Sequence, residues 1–565
     1  MINPTLSLLG LLATRAKQRL IYRSRHVMAT QEQFLQTLIR HHQATELGQT
    51  FRLDTIKTID QFRDRIPIWS YSQYEPYMNR IAAGERNVLN PERVRYINLT
   101  SGSTGKKKQV PVTRRFQSSL QRTELAGLGF AIEALKRRGQ GFGKLMMTNS
   151  ATLQGITDGG VEYGPVSAGR LRRGKFVFEQ LFAIPYDALL IPDIAARHYV
   201  CLLFALRDAH LAGMTANFPM LILQICNYLA QYAEDLIHDL ERGEIAPWLK
   251  LEPTLRHRLE RRLTPAPRRA AQLHAVFQSE GRLTPELAWP NLRLVATARG
   301  GTSDFYFEGF PDYFGDTPAF GGVYGTAEGN FGVCPEFNYD GHILAIESGF
   351  YEFIPVDQWD VEQPKTLLPT EVKAGKCYRI LVTSYSGLYR YDIGDVVEVL
   401  GFYHQTPLIV FRHRRGGLLS ATTEKTTEFH AIQVMQALQQ EFNVTMEDFC
   451  ITLSNHEFPA RYLVNIELAA GESLRDFQAF LSRFEYWMGE VNNPYRTVRS
   501  GDVPPPRLRV LAPGSFEQVR QRHITRGIPD SQLKIPHISE DRQLLTDLEV
   551  IHDIEFESAL SSSLG

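Results

Sequence analysis

The chain has 565 residues, 43% hydrophobic, 11% aromatic and 22% charged, enough apolar content for a large core and too much for a disordered, collagen-like or mini-protein chain. Lys+Arg and Asp+Glu both number 62, so the formal net charge is zero. That excludes a general nucleic-acid coat or a polybasic membrane binder; any basic site has to be local.

In chain order, the first element is Leu6-Ser-Leu-Leu-Gly-Leu-Leu-Ala13, a short apolar run with its basic residues behind it (Arg15, Lys17, Arg19, Arg23, Arg25). That is the wrong order for a signal peptide and too short for a membrane span, so the expectation is an amphipathic helix docked on the body, without stable membrane insertion. Up to about residue 410 helical stretches alternate with β-branched runs, and no fixed-period repeat appears. One helix is expected from Asn217 and Pro219 through Leu221, Ile225, Leu229, Leu236 and Leu240, stopped by Gly243. The arginines between Arg256 and Arg269 read as a solvated helix face, because Leu255, Leu259 and Leu263 recur at helical spacing. Strands are expected at Arg293–Thr297 and Arg379–Thr383, each running into Gly, Ser or Thr, as α/β ligand sites require.

A boundary is expected between Arg412 and Glu428, giving domains 1–420 and 421–565. The second part reads as an α+β unit. It comprises a helix carrying Phe429, Ile432, Met435, Leu438 and Phe442, strands at Cys450–Phe458 and Arg461–Leu468, a helix opened by Ser473 with Asp476, and a strand at Arg507–Leu511. Cys201, Cys226, Cys334, Cys377 and Cys450 form no CxxC pair, and the 16 histidines show no HExxH or HxH spacing. Neither a disulfide framework nor a zinc knuckle is expected, and the reading is a cytoplasmic chain with reduced thiols.

Three segments can carry chemistry. Thr100-Ser101-Gly102-Ser103-Thr104-Gly105, followed by Lys106, Lys107 and Lys108, lies between two extended runs. Its glycines let backbone N–H groups turn inward, and its hydroxyls and lysines complete a phosphate cradle. It is not a Walker A loop, since only two residues separate the glycines. Tyr324-Gly325-Thr326-Ala327-Glu328 offers a ring to stack on a flat ligand and a hard carboxylate suited to Mg²⁺ beside phosphates. In Tyr389-Arg390-Tyr-Asp-Ile-Gly-Asp395, the last carboxylate sits at a strand mouth and can accept from both ribose hydroxyls, while Arg390 can hold a phosphate or a structural carboxylate. Taken singly, each segment also reads as an ordinary polar turn.

In this order the three segments resemble the nucleotide motifs of adenylate-forming ligases, the luciferase-like superfamily. Gly387-Leu-Tyr-Arg-Tyr391, Gly394-Asp-Val396, Gly401-Phe-Tyr403, Thr406-Pro407, Phe411-Arg412, Glu424-Lys425-Thr-Thr-Glu428, Val503-Pro-Pro, Leu508-Arg-Val510, Pro513-Gly-Ser-Phe516 and Gln532-Leu-Lys534-Ile-Pro536 resemble one branch of it. That branch is the auxin-responsive Gretchen Hagen family of acyl acid amido synthetases, and the similarity spans roughly residues 96–537. The resemblance implies an α/β fold with a large amino-terminal adenylate-forming domain, built of β-sheets and a β-barrel flanked by helices, and a smaller mobile α+β carboxyl-terminal domain.

The implied activity adenylates a small carboxylic acid with ATP and Mg²⁺ and transfers the acyl group to an amine, usually that of an amino acid. The implied enzyme is a monomer without a nucleic-acid partner. By carry-over, Thr100 to Gly105 hold the phosphates, Tyr324, Gly325 and Thr326 contact adenine, Glu328 places Mg²⁺, and Asp395 binds ribose. Lys425 lies at a hinge, and Lys534 is brought to the nucleotide when the second domain swings. Asp392 and the Lys106–Lys108 run depart from many plant relatives, which cautions against carrying over a plant-hormone substrate. Residues 154–169 are expected near the acyl pocket by position. The alternatives are a thioester-forming acyl-CoA ligase and a non-catalytic nucleotide-binding protein.

Overall fold

The structure, a computed structural model, describes all residues except 1–3, 102–106, 301–306, 308, 360, 415–417, 456, 500–502, 526–534 and 557–565. The chain divides into two compact units, one of Met1–Thr100 with Lys108–His413 and one of Ser101–Lys107 with Arg414–Gly565.

In the first unit, α1 (Pro4–Arg23) precedes α2 (Val27–His42) and packs on the long α3 (Arg114–Arg137). The approach is close because Gly129 has no side chain: an added Cβ would lie 2.4 Å from the Ala13 carbonyl oxygen. Lys17 pairs with Glu133 across this contact. The helix therefore docks as its sequence suggests, but through Ala13, Lys17 and Leu20. The apolar run itself faces out, with Leu8 at 58% exposure and Leu11 and Leu12 also exposed.

Two sheets surround the site. A mostly antiparallel one follows the order β12 (Phe350–Pro355), β13 (Lys376–Thr383), β14 (Tyr391–Tyr403), β15 (Thr406–Arg414), β11 (His342–Leu344), β10 (Asn330–Val333) and β9 (Val323–Gly325). A parallel sheet follows the order β3 (Leu145–Met146), β6 (Gly213–Thr215), β7 (Leu294–Ala296) and β8 (Ala319–Phe320). A third sheet joins β2 (Lys107–Val112), β1 (Tyr96–Ser101), β5 (Glu162–Gly164) and β4 (Gly155–Ile156). Both expected strands form, as β7 and β13. Residues 154–169 supply β4 and β5, and β5 runs parallel to β1.

Helices α4 (Ile194–Leu206), α5 (Pro219–Gln231), α6 (Ala233–Arg242), α7 (Pro253–Glu260) and α8 (Pro267–Glu280) pack over one face of the parallel sheet around Val200, Ile222, Leu236, Leu259 and Val295. The single helix expected after Asn217 is two. It breaks at Tyr232, whose ring stacks between Tyr228 and Trp248, and aromatic packing there outweighs helical continuity. Gly243 ends the second helix in the left-handed region (φ 70°). The arginine-rich stretch is less solvated than expected: Arg256 donates to the carbonyls of Ile245, Ala246 and Leu249.

The second unit contains the pair β16 (Leu418–Leu419) and β17 (Thr426–Thr427), then α9 (Glu428–Phe442). It also holds a sheet in the order β18 (Met446–Leu453), β19 (Tyr462–Leu468), β20 (Arg507–Leu511) and β21 (Val550–Glu555), with α10 (Phe477–Val491) and α11 (Ser515–Thr525). The helix expected to open at Ser473 opens at Asp476, whose carboxylate accepts from the Ala479 N–H at 2.8 Å. All five cysteines are free thiols, four of them buried. No described helix is long and apolar enough to cross a membrane.

Candidate active site

Within the first unit, the residues that flank the first segment, Asn98 and Lys108, meet the other two segments. Asn98 on β1 donates to the Ala327 carbonyl at 3.3 Å, tying the strand that enters the phosphate loop to the Tyr324–Glu328 turn. The Tyr324 hydroxyl donates to Asp395 Oδ2 at 2.8 Å, tying that turn to β14. Lys108, on the strand leaving the loop, lies with Nζ 3.4 Å from the Tyr391 hydroxyl, which in turn is 3.4 Å from Glu328 Oε1. Residues up to 283 positions apart thus form one contact network.

Glu328 is 3% exposed. Ser384 Oγ anchors its carbonyl at 3.1 Å, and the Thr326 hydroxyl accepts from its N–H at 3.2 Å. Its carboxylate makes no ion pair with a described residue, an unusual state for a buried acid. That donor, hard and anionic and held by one hydroxyl, fits a Mg²⁺ ion whose remaining ligands come from phosphates. Its charge is felt nearby: the Tyr71 hydroxyl is pushed up to about 12, by burial first and by the Glu75 and Glu328 carboxylates after it. Tyr71 also accepts from the Gln109 N–H at 2.7 Å and lies under Lys108 Nζ, 5.6 Å from the ring centroid.

Asp395 is 1% exposed, on β14 just after Gly394 (φ 82°). Tyr324 is held at both ends, its hydroxyl on Asp395 and its ring stacked on Phe331 at 5.1 Å and tilted against Phe411 at 5.9 Å. Gly325 and Thr326 complete the turn; a Cβ at Gly325 would meet Asn330 Oδ1 at 2.6 Å.

Arg390 is placed otherwise. Its guanidinium is buried and grips Glu352 through Nε and Nη2 at 3.0–3.2 Å. Its remaining donors go to the Arg63 and Ile66 carbonyls and the Thr366 hydroxyl. All five N–H groups are engaged, so of the two ligands its sequence allows, phosphate or a structural carboxylate, Arg390 holds the carboxylate. Asp392 likewise pairs with Arg379 at 3.0 Å and accepts from the Gly394 N–H.

Thr100 and Ser101 are the last residues of β1, while Gly102, Ser103, Thr104 and Gly105 lie outside the described residues, as does Lys534. Lys425 belongs to the second unit, in the left-handed region (φ 49°) with its N–H on Ser420 Oγ at 3.0 Å. That turn is wound around the buried Glu424 carboxylate, which accepts from Thr422 and from the Tyr462 hydroxyl. Among the described residues no His, Cys, Asp and Glu cluster forms a metal site by itself. Sequence reasoning gave Tyr391 no role; its place between Arg390 and Asp392 carries no signal for the Lys108–Glu328 link it makes.

Comparison with known proteins gives three adjoining matches: the GH3 family N-terminal domain over residues 16–319, the central domain over 342–414 and the C-terminal domain over 429–543. Among curated proteins the chain is similar to jasmonoyl–L-amino acid synthetase JAR4 of Nicotiana attenuata, 28% identical over 90% of each chain. It is also similar to 4-substituted benzoates-glutamate ligase GH3.12 of Arabidopsis thaliana, 24% identical over 93% of this chain and 95% of that one. Among solved structures it matches GH3.15 acyl acid amido synthetase with a TM-score of 0.64 and 22% identity, covering 98% and 97% of the two chains.

Proposed function

The chain belongs to the GH3 family, and from that premise we propose that it is an ATP-dependent acyl acid amido synthetase, a carboxylate–amine ligase. A carboxylate oxygen of the acid attacks the α-phosphorus of ATP and pyrophosphate leaves, giving an acyl adenylate. The nitrogen of an amine, of an amino acid in this reading, then attacks the acyl carbon. AMP departs with the bonding pair of the broken C–O bond, and the ammonium proton is lost to solvent.

The observation that supports this reading is the link between the Tyr324–Glu328 turn, β14 and the strand leaving the loop motif, through Tyr324–Asp395 and Lys108–Tyr391–Glu328. The first half-reaction brings an anion to a polyanion, so it needs fixed positive charge and a dry, preorganised setting. Lys108 supplies charge, oriented by the Tyr71 and Tyr391 rings. Glu328 would hold Mg²⁺, which would supply positive charge to offset that of the polyphosphate. Asp395, aligned by the Tyr324 hydroxyl, would take the ribose hydroxyls, and Tyr324, Gly325 and Thr326 would border the adenine. By their motifs, the loop Thr100–Gly105 would cradle the phosphates, while Lys534 and Lys425 would serve the adenylating step from the second unit. Residues 1–420 and 421–565 would act as the two functional domains of a cytoplasmic monomer.

ATP–pyrophosphate exchange by the purified protein against pooled carboxylic acids tests the proposal. Exchange that depends on one pool, and falls at least about 100-fold in Lys534→Ala, is expected, with amide formation when amino acids are added. Mg·ATP binding without exchange in any pool would replace it with a non-catalytic nucleotide-binding protein. A thioester formed with coenzyme A instead of an amide would replace it with an acyl-CoA ligase.

A further inference from the structure

Three buried polar side chains with atoms that find no hydrogen-bond partner among the described residues lie on one side of the parallel sheet. Gln224 on α5 leaves both Oε1 and Nε2 unpartnered at 4% exposure, His198 on α4 leaves Nδ1 unpartnered at 2%, and Thr297 after β7 leaves Oγ1 unpartnered at 4%. Native interiors hydrogen-bond most of their buried polar groups, so a group of exceptions in one place calls for a partner.

Their places in the fold bring them together. The imidazole of His198 stacks on the Tyr228 ring, centroids 5.2 Å apart and planes at 22°. Gln224 precedes Tyr228 by four residues on the same helix, so the two share a face. Arg197, next to His198, donates to the Thr148 carbonyl at 2.8 Å, two residues beyond β3, which sets this turn of α4 over the carboxyl end of the sheet. α5 starts there too, four residues after β6. On β7, Val295 packs in the same core as α4 and α5, and alternation puts Thr297 on that side. The Thr297 N–H bonds the Phe320 carbonyl at 3.0 Å, and the chain runs from Phe320 through two glycines into β9 and Tyr324. Unpartnered polar groups thus lead away from the nucleotide segment along the carboxyl ends of the parallel strands, where open α/β sheets bind ligands.

We propose that Gln224 and His198, with Thr297 on the path, form the far end of the acyl site. They select carboxylic acids carrying a neutral hydrogen-bonding group (hydroxyl, ketone or amide) remote from the carboxylate. The inference rests on the adenylation reading above. The amide of Gln224 offers a donor pair and an acceptor and His198 a further ring nitrogen, so one hydroxyl or carbonyl can be met from two sides. Neither side chain brings charge: burial and the neighbouring Arg197 hold His198 down to about 3. A plain hydrocarbon would leave the amide unpaired.

The test is ATP–pyrophosphate exchange with matched acids: 6-hydroxyhexanoic against hexanoic, 6-oxoheptanoic against heptanoic, and 3-(4-hydroxyphenyl)propionic against 3-phenylpropionic acid. The wild type is expected to favour the polar member of at least one pair by about 10-fold or more in kcat/KM. Gln224→Leu, close in volume and free of the orphaned amide, should abolish or reverse that preference while keeping the apolar member within about threefold. Gln224→Met repeats the test if the leucine variant folds poorly. Exchange that ignores the polar group in every pair, or a variant that loses both members equally, overturns the inference and leaves the adenylation reading standing. No exchange with any acid despite Mg·ATP binding overturns both.

Discussion

Arg390 and Glu328 are both buried charges within the segments proposed to hold the nucleotide, and their surroundings point them to opposite tasks. Arg390 has every donor committed to Glu352, two carbonyls and a hydroxyl, so its loss leaves the buried Glu352 carboxylate with the Thr366 hydroxyl and the more distant Arg63, 3.6 Å away. Arg390→Met is therefore expected to cost roughly 3–5 kcal/mol of stability, and Arg390→Met with Glu352→Met to recover much of it. Urea unfolding of the three variants checks this, with the KM for ATP unchanged in protein that stays folded. Glu328 instead has one hydroxyl and no described cation on its carboxylate. Glu328→Gln keeps the shape and removes the charge, so exchange should fall at least about 100-fold while the unfolding midpoint stays put or rises. Asp395→Asn should raise the KM for ATP more than it lowers kcat.

At the level of elements, packing decides what periodicity only proposes. The α1–α3 contact depends on one missing side chain: a Cβ on Gly129 would collide with the Ala13 backbone, which cannot yield as a side-chain tip can. Gly129→Ala is expected to cost about 1–3 kcal/mol by pushing the helices apart. Trypsin should then cut faster after Arg15 and Arg25, with exchange activity kept, since α1 lies outside the nucleotide network. Equal cleavage rates would show that α3 shifts to absorb the methyl group. The break at Tyr232 follows the same logic, because three stacked aromatic residues gain more from facing one another than from one uninterrupted helix.

For the whole molecule, buried histidines set an acid limit. Burial holds His42 and His198 down to about 3 and His342 to about 4, against an ordinary value near 6.5. Below that ordinary value the unfolded chain takes up protons that the fold refuses, so stability falls with pH, by roughly 1.4 kcal/mol per pH unit for each histidine. All three lie in the first unit. In the second, burial raises Glu540 to about 7; the unfolded chain ionises it first, so its contribution is present below about 4.5 and lost as pH rises through 7. Hydrogen exchange between pH 7 and 4.5 should therefore show protection lost faster in peptides of the first unit than in those around Glu540. Uniform loss across both would contradict these burial effects.

Much of this was legible in the chain itself. The family resemblance, carried by the order of the three motif segments and the late Leu508–Val510 and Gln532–Pro536 stretches, and the strands β7, β13 and β20 with the α+β character of the second unit rest on local patterns of spacing and residue type, and local chemistry writes such patterns directly. Which partner each side chain meets is a matter of distance in space. Arg390 took Glu352 instead of phosphate, and Tyr391 came to link Lys108 with Glu328, because strands far apart in sequence were brought into register. Hydrogen bonds and charges act over a few ångströms whatever the separation along the chain, so the sequence by itself determined the parts and their chemistry, and only the tertiary structure decided which of them touch.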